Sequence, residues 1–163
     1  MVEMELLGVR LELPANAPVV LLREQEGDRR VLPIYIGPEE ARAIALALEG
    51  VETPRPMTHD LMRDLLGALE VTVGSIAVTE LREATFYAEI ELRAGDRTLR
   101  VSSRPSDAVA LAVRVGAPIF ASEEVLAEAA MPAAEEADEE EQEEIVDQFR
   151  EFLDEVNPED FAS

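Results

Sequence analysis

The chain contains a single histidine, His59, and its neighbours are the residues most suited to chemistry. Within Pro54–Asp60 it stands next to Asp60 and Thr58, four residues after Arg55, which is held between two prolines. An imidazole beside a carboxylate can carry protons. In that reading His59 transfers the proton, Asp60 orients it or ligates a metal, and Arg55 meets an anion. The same residues also suit the start of a helix, with Thr58 as N-cap and Asp60 as a first-turn acid favoured by the dipole.

Arg104–Asp107 carries the same double meaning. Ser106 suits an N-cap and Asp107 a first turn, while Arg104 before a helix N-terminus would reinforce an anion site. Glu40 holds the matching place earlier in the chain. If these helix starts converge, Glu40, Asp60 and Asp107 could hold Mg²⁺ or Mn²⁺, with Arg55 and Arg104 clamping a phosphate. Tyr87 is the aromatic expected on a strand's exposed side, available to stack on a base.

Composition removes other classes. There is no cysteine, so disulfides, thiolate zinc and cysteine nucleophiles are excluded. No serine lies in a nucleophile elbow, and no phosphate-binding loop or dinucleotide fingerprint occurs. Acids occupy Met1–Glu5 where a signal peptide needs basic residues, and no apolar run approaches a membrane span, so a soluble cytoplasmic protein is expected. The net charge is -22. Residues 123–163 hold 17 acids and one arginine. Such a balance disfavours passive binding of nucleic acid.

The elements that must position these residues read as two similar halves. Residues 2–13 alternate apolar and polar with a phase switch at Leu7–Gly8, which predicts a β-bulge. Strands follow at 19–23 and 31–36, and Pro33 puts the latter at an edge. A helix opens at Pro38–Glu40 with Ala41, Ile44, Ala45 and Leu48 as its apolar stripe, ending at Gly50. The next helix starts near Thr58, with Leu61, Leu65, Leu66 and Leu69 expected on its buried face. Strands then recur at 71–81, 86–93 and 99–102, before a helix with stripe Ala108, Leu111, Ala112 and Val115. A shift of 67 carries Pro38 onto Pro105, Glu40 onto Asp107 and one helix stripe onto the other. Residues 117–121 form a short strand, and Ser122 caps a brief helix through Ala130.

Beyond Ala133, Glu135–Glu144 is almost all acid and should be solvated. Ile145, Phe149, Phe152, Leu153 and Val156 then share one helical face, stopped at Asn157–Pro158. The expected organisation is a domain of residues 1–131, an acidic linker at 132–144 and an amphipathic helix with tail at 145–163. That stripe is expected to dock on the body, on another subunit or on a partner protein. A homo-dimer is the favoured assembly. The tail could also mimic nucleic acid and block the site, so deletion from Pro132 onward would raise activity.

Four segments carry a family resemblance: Ile34–Ile44, Pro54–Leu61, Thr85–Ala88 and Arg104–Ala112. Together they closely resemble the bifunctional nuclease domain family, over about residues 2 to 130. Phe149–Phe161 is similar to the C-terminal extension of bacterial members. The resemblance implies an α+β fold, a duplicated strand–hairpin–helix unit forming an antiparallel, barrel-like sheet with flanking helices. It also implies DNase and RNase activity, with DNA or RNA as substrate. The family-motif positions present are Glu40, Arg55, Thr58, His59, Asp60, Tyr87, Arg104, Ser106 and Asp107. In a metal-assisted phosphodiesterase His59, Asp60, Arg55, Arg104 and Asp107 would be catalytic. Thr58, Tyr87 and Ser106 would face substrate, and Glu40, Asp60 and Asp107 would hold the ion. The competing expectation is a non-catalytic binding or regulatory module whose acidic tail engages a partner.

Overall fold

The computed structural model describes residues 1–133. In chain order the elements are β1 (Val2–Glu12), β2 (Ala17–Glu24), β3 (Val31–Tyr35), α1 (Pro38–Leu48) and α2 (Thr58–Ala68). They continue with β4 (Thr72–Arg82), β5 (Thr85–Ala94), β6 (Arg97–Ser103), α3 (Pro105–Val115), β7 (Ile119–Ala121) and α4 (Glu123–Ala129). The fold is α+β. Among the described residues no helix is long and apolar enough to cross a membrane. The acidic run and the stripe from Ile145 to Val156 lie outside the described residues.

The seven strands form one sheet in the order β3-β2-β1-β7-β4-β5-β6. This order is symmetric about β7: an antiparallel triplet lies on each side, and each triplet is followed by a helix. The three-residue β7 joins the halves, antiparallel to β1 and parallel to β4. The sheet is not closed, so the expected barrel-like form is not seen; β3 and β6 are its two edges.

Sequence pattern explains most of the register. The phase switch in β1 is a register shift between Leu6 and Gly8, and Gly8 adopts φ 141°, a conformation that suits a residue without Cβ. A matching irregularity falls between Val73 and Ser75 in β4. Pro33 sits on β3, at an edge, where its missing N–H costs no ladder bond. Leu13 falls past the end of β1 and is exposed rather than continuing the apolar face. Ser122 caps α4, its Oγ accepting from Val125 N at 3.2 Å.

Both halves feed one core. Val20, Leu22, Leu32 and Ile34 meet Ile76, Val78, Ala88 and Ile90, with Ile44, Leu111, Val125 and Leu126 from the helices. Each such Val, Leu or Ile side chain contributes roughly 1.5–3 kcal/mol on burial. α3 is buried around most of its girth, because its alanines let α1, α2 and the sheet approach closely. It ends at Gly116, in the left-handed conformation at φ 70°, whose N–H bonds Ala112 O.

One helix face departs from expectation. Leu61, Leu65 and Leu69 are exposed on α2, while His59 is buried and Met62 and Leu66 pack partly against the core. α2 is therefore turned so that the 59–62–66 stripe faces inward. The leucine stripe predicted burial by its spacing alone, but the polar contacts at the helix start set the rotation.

Candidate functional site

The start of α2 delivers His59 into the protein. Met57, not Thr58, is the N-cap, and Thr58 is the exposed first residue of the helix. Asp60, at the third helical position, accepts a hydrogen bond from Met57 N at 3.0 Å, which fixes this turn. At α3 the N-cap is Arg104 rather than Ser106, because Pro105 takes the first helical position. Ser106 is consequently buried one residue further in, and Asp107 occupies the third position.

These two helix starts meet. His59 Nε2 lies 2.9 Å from Asp107 Oδ1. Arg104 Nε donates to Asp107 Oδ2 at 2.7 Å, and Arg104 Nη2 lies 3.0 Å from Glu40 Oε1. Glu40 and Asp107 are the equivalent acids of the two halves, so Arg104 spans the internal repeat at its junction. The four side chains line a cleft of about 190 Å³, together with Glu39, Arg42 and Thr58.

The electrostatics follow from the contacts. Burial alone would raise Asp107, but hydrogen bonds and charge from Arg104 and His59 outweigh it and hold the carboxyl below its usual range. Asp107, and to a lesser degree Glu40, make Arg104 more firmly cationic than usual. An ionised carboxylate only accepts, so His59 Nε2 carries a hydrogen. In the neutral ring Nδ1 is then the nitrogen with the lone pair.

Asp60 is directed elsewhere. Its Oδ1 accepts from Arg114 Nε at 2.7 Å. Arg114 is buried on α3 and also donates to Ala110 O and Ala43 O, both at 2.8 Å. It thereby ties α1, α2 and α3 together. Burial would raise Asp60, yet Arg114, the Met57 N–H and Arg63 bring it below the usual range. Asp60 lines a second, larger cleft of about 400 Å³ with Arg63, Arg114 and residues 50–53. Leu46 and Met57 line both clefts. The carboxylate that orients His59 is therefore Asp107, 48 residues away, and not its sequence neighbour.

The expected metal ligands do not fit an ion as they are paired. Both oxygens of Asp60 and both of Asp107 are engaged by protein donors, and Arg104 occupies Glu40. Among the described residues no group of three or more His, Asp or Glu is placed to hold a metal ion. Arg55 is exposed and lines neither cleft, so it does not pair with Arg104 as a clamp. Tyr87 lines neither cleft, and the Arg82 guanidinium stands 4.3 Å from its ring centroid.

Two arginines were missed by sequence reasoning. Arg42 lines the cleft, bonded through Nη1 to Glu39, while its Nε is buried without a partner. Arg114 had a usable signal: a lone charge in the otherwise apolar second half of α3. Its partner was not legible, because nothing in the local sequence links it to Asp60.

The fold and this junction of helix starts coincide with a known domain. The bifunctional nuclease domain matches residues 20–134, and the chain belongs to that family. It is 51% identical over 165 residues to an uncharacterized protein of Mycobacterium tuberculosis, covering 99% of this chain and 98% of that one. It is 30% identical over 112 residues to bifunctional nuclease 2 of Arabidopsis thaliana, covering 66% of this chain but 34% of the plant protein. Bifunctional nuclease 2 of Oryza sativa subsp. japonica is 27% identical over 115 residues, with 35% of its length covered. The chain thus spans about a third of these plant relatives.

Proposed function

We propose that the protein is a nuclease that hydrolyses phosphodiester bonds of DNA and RNA, with the cleft between α1, α2 and α3 as its site. The observation that carries this reading is the His59–Asp107 contact, which joins two helix starts in a member of the bifunctional nuclease domain family. His59 Nδ1 would take a proton from water as its oxygen attacks phosphorus. Asp107 would hold the ring and stabilise the imidazolium, which then protonates the departing ester oxygen. Arg104 and Arg42 would balance the charge gathering on the phosphoryl oxygens, and Thr58 would contact the backbone of the strand. In this reading the protein's own side chains carry the reaction, since the carboxylates are already satisfied by protein donors.

The test is turnover on single-stranded RNA and DNA, in Mg²⁺, Mn²⁺ and EDTA, for the wild type and His59→Ala. The expected outcome is a loss of about 100-fold or more in the variant, the scale of general acid–base catalysis, with wild-type activity persisting in EDTA. Turnover by a folded His59→Ala protein at the wild-type rate would remove His59 from the chemistry. Abolition of wild-type turnover by EDTA would show that an ion displaces some of these contacts.

A second reading is supported by the same saturation of polar groups: the cluster is a structural tie in a non-catalytic binding module. It predicts that His59→Ala lowers stability while no nuclease activity can be assigned to the wild type.

A further inference from the structure

The internal repeat reveals a face that is covered in one half and bare in the other. The shift of 67 that superposes the helices also carries Arg30 onto Arg97, Leu32 onto Leu99 and Ile34 onto Val101. Leu32 and Ile34 are 0% and 3% exposed, whereas Leu99 and Val101 are 40% and 45% exposed. Pairing places Leu99 opposite Leu92 and Val101 opposite Ile90, so both lie on the core face of the sheet. In the first half the cover comes from α4, which rests on β3, and from Met131, which pairs with Val31. Arg30 is locked to Glu24 at 2.7 Å and to Glu123 of α4 at 3.0 Å. Arg97 makes no ion pair among the described residues.

We propose that residues 145–156 of the same chain form the missing cover, a helix lying on the core face of β6, beyond the part of β5 that α3 already covers. Three observations favour this occupant. Its apolar residues Ile145, Phe149, Phe152, Leu153 and Val156 share one helical face, the size of stripe needed to close over Leu99 and Val101. Its remaining surface carries Asp147, Glu151, Asp154 and Glu155, complementary to Arg97, which shares a face of β6 with Leu99 and Val101, just as Glu123 of α4 complements Arg30. The tether also reaches: the twelve steps from Ala133 to Ile145 can span about 40 Å at extended-chain dimensions. Crossing from β3 to β6 is six strand spacings, about 29 Å in a flat sheet. The docked segment ends the sheet's second apolar edge in the way α4 ends the first.

The native chain lacks cysteine, so disulfide trapping in the full-length protein gives a clean test. Leu99→Cys combined with Phe152→Cys should oxidise to an intramolecular disulfide at least tenfold faster than Leu13→Cys with Phe152→Cys. Leu13 is more exposed than Leu99, 64% against 40%, but lies in the first half of the chain. The rate should not depend on protein concentration, and it should fall when Phe149→Ser is added or salt is raised. Val101→Cys with Phe149→Cys provides a second pair should the first disturb folding. Equal rates for the test and control pairs would overturn the proposal. So would disulfides formed only between chains, since the face would then be covered by a second copy.

Discussion

The β2–β3 hairpin with α1 and the β5–β6 hairpin with α3 are one design used twice, but their outer strands meet different fates. β3 is shut under α4, with Leu32 and Ile34 buried and the preceding Arg30 locked between two glutamates. β6 is exposed along nearly its whole length. Strand pattern alone does not bury a residue; a cover has to arrive from elsewhere in the chain. The inner ends of the two units behave in the opposite way. There the equivalent acids Glu40 and Asp107 are drawn to a single guanidinium, Arg104. Gly37 stands at the position equivalent to Arg104, so only one half supplies a bridging side chain. The repeat is symmetric in backbone and asymmetric in chemistry, and the candidate site lies where that asymmetry is greatest.

Substitutions can break or sharpen this comparison. The largest effect is expected at Arg114, whose removal leaves Asp60 without its partner and frees three helices from one another. Arg114→Leu should lower stability by about 3 kcal/mol or more, read from the urea midpoint. Next, Leu32→Ala should cost about 3 kcal/mol as a cavity in a closed core. Leu99→Ala at the equivalent place should cost about 1 kcal/mol, and that cost should vanish when Phe149→Ser and Phe152→Ser are present, a coupling measurable as a double-mutant cycle. A smaller and graded effect concerns acid. Glu24, held low by the Arg30 hydrogen bonds, and Asp60 and Asp107, held low by Arg114 and Arg104, all have depressed folded-state values. Their contribution is complete above the ordinary carboxylate range and is lost as pH falls through the lower folded values. Stability measured against pH should therefore decline from about pH 5 downward, and Asp60→Asn should flatten the decline.

Much of the backbone could be read from residues 1–133. The bulge at Gly8, the edge position of Pro33, the turns and the first three residues of the α1 and α3 stripes follow from local patterns, while Leu48 and Val115 at the ends of those stripes are exposed. The placement of β7 between the halves did not, because a three-residue strand has no periodicity of its own. The rotation of α2 also escaped, since its leucines at 61, 65 and 69 form a better apolar stripe than the His59, Met62 and Leu66 that pack inward. At the site, the helix starts and their residues were legible, and so was the link between Glu40 and Asp107. What failed was pairing: adjacency favoured Asp60 as the partner of His59, while the helix geometry turns successive side chains about 100° apart. His59 and Asp60 therefore face different neighbours.

The most direct measurement concerns the carboxylate that holds His59. Asp107→Asn keeps the side chain's shape but removes its charge and leaves one acceptor oxygen to serve both His59 Nε2–H and Arg104 Nε–H, and its RNA turnover can be compared with wild type at matched folded fraction. The expected result is a fall of about 100-fold or more with the cleft intact. Wild-type turnover in a folded Asp107→Asn protein would contradict the assignment of this pair to the reaction.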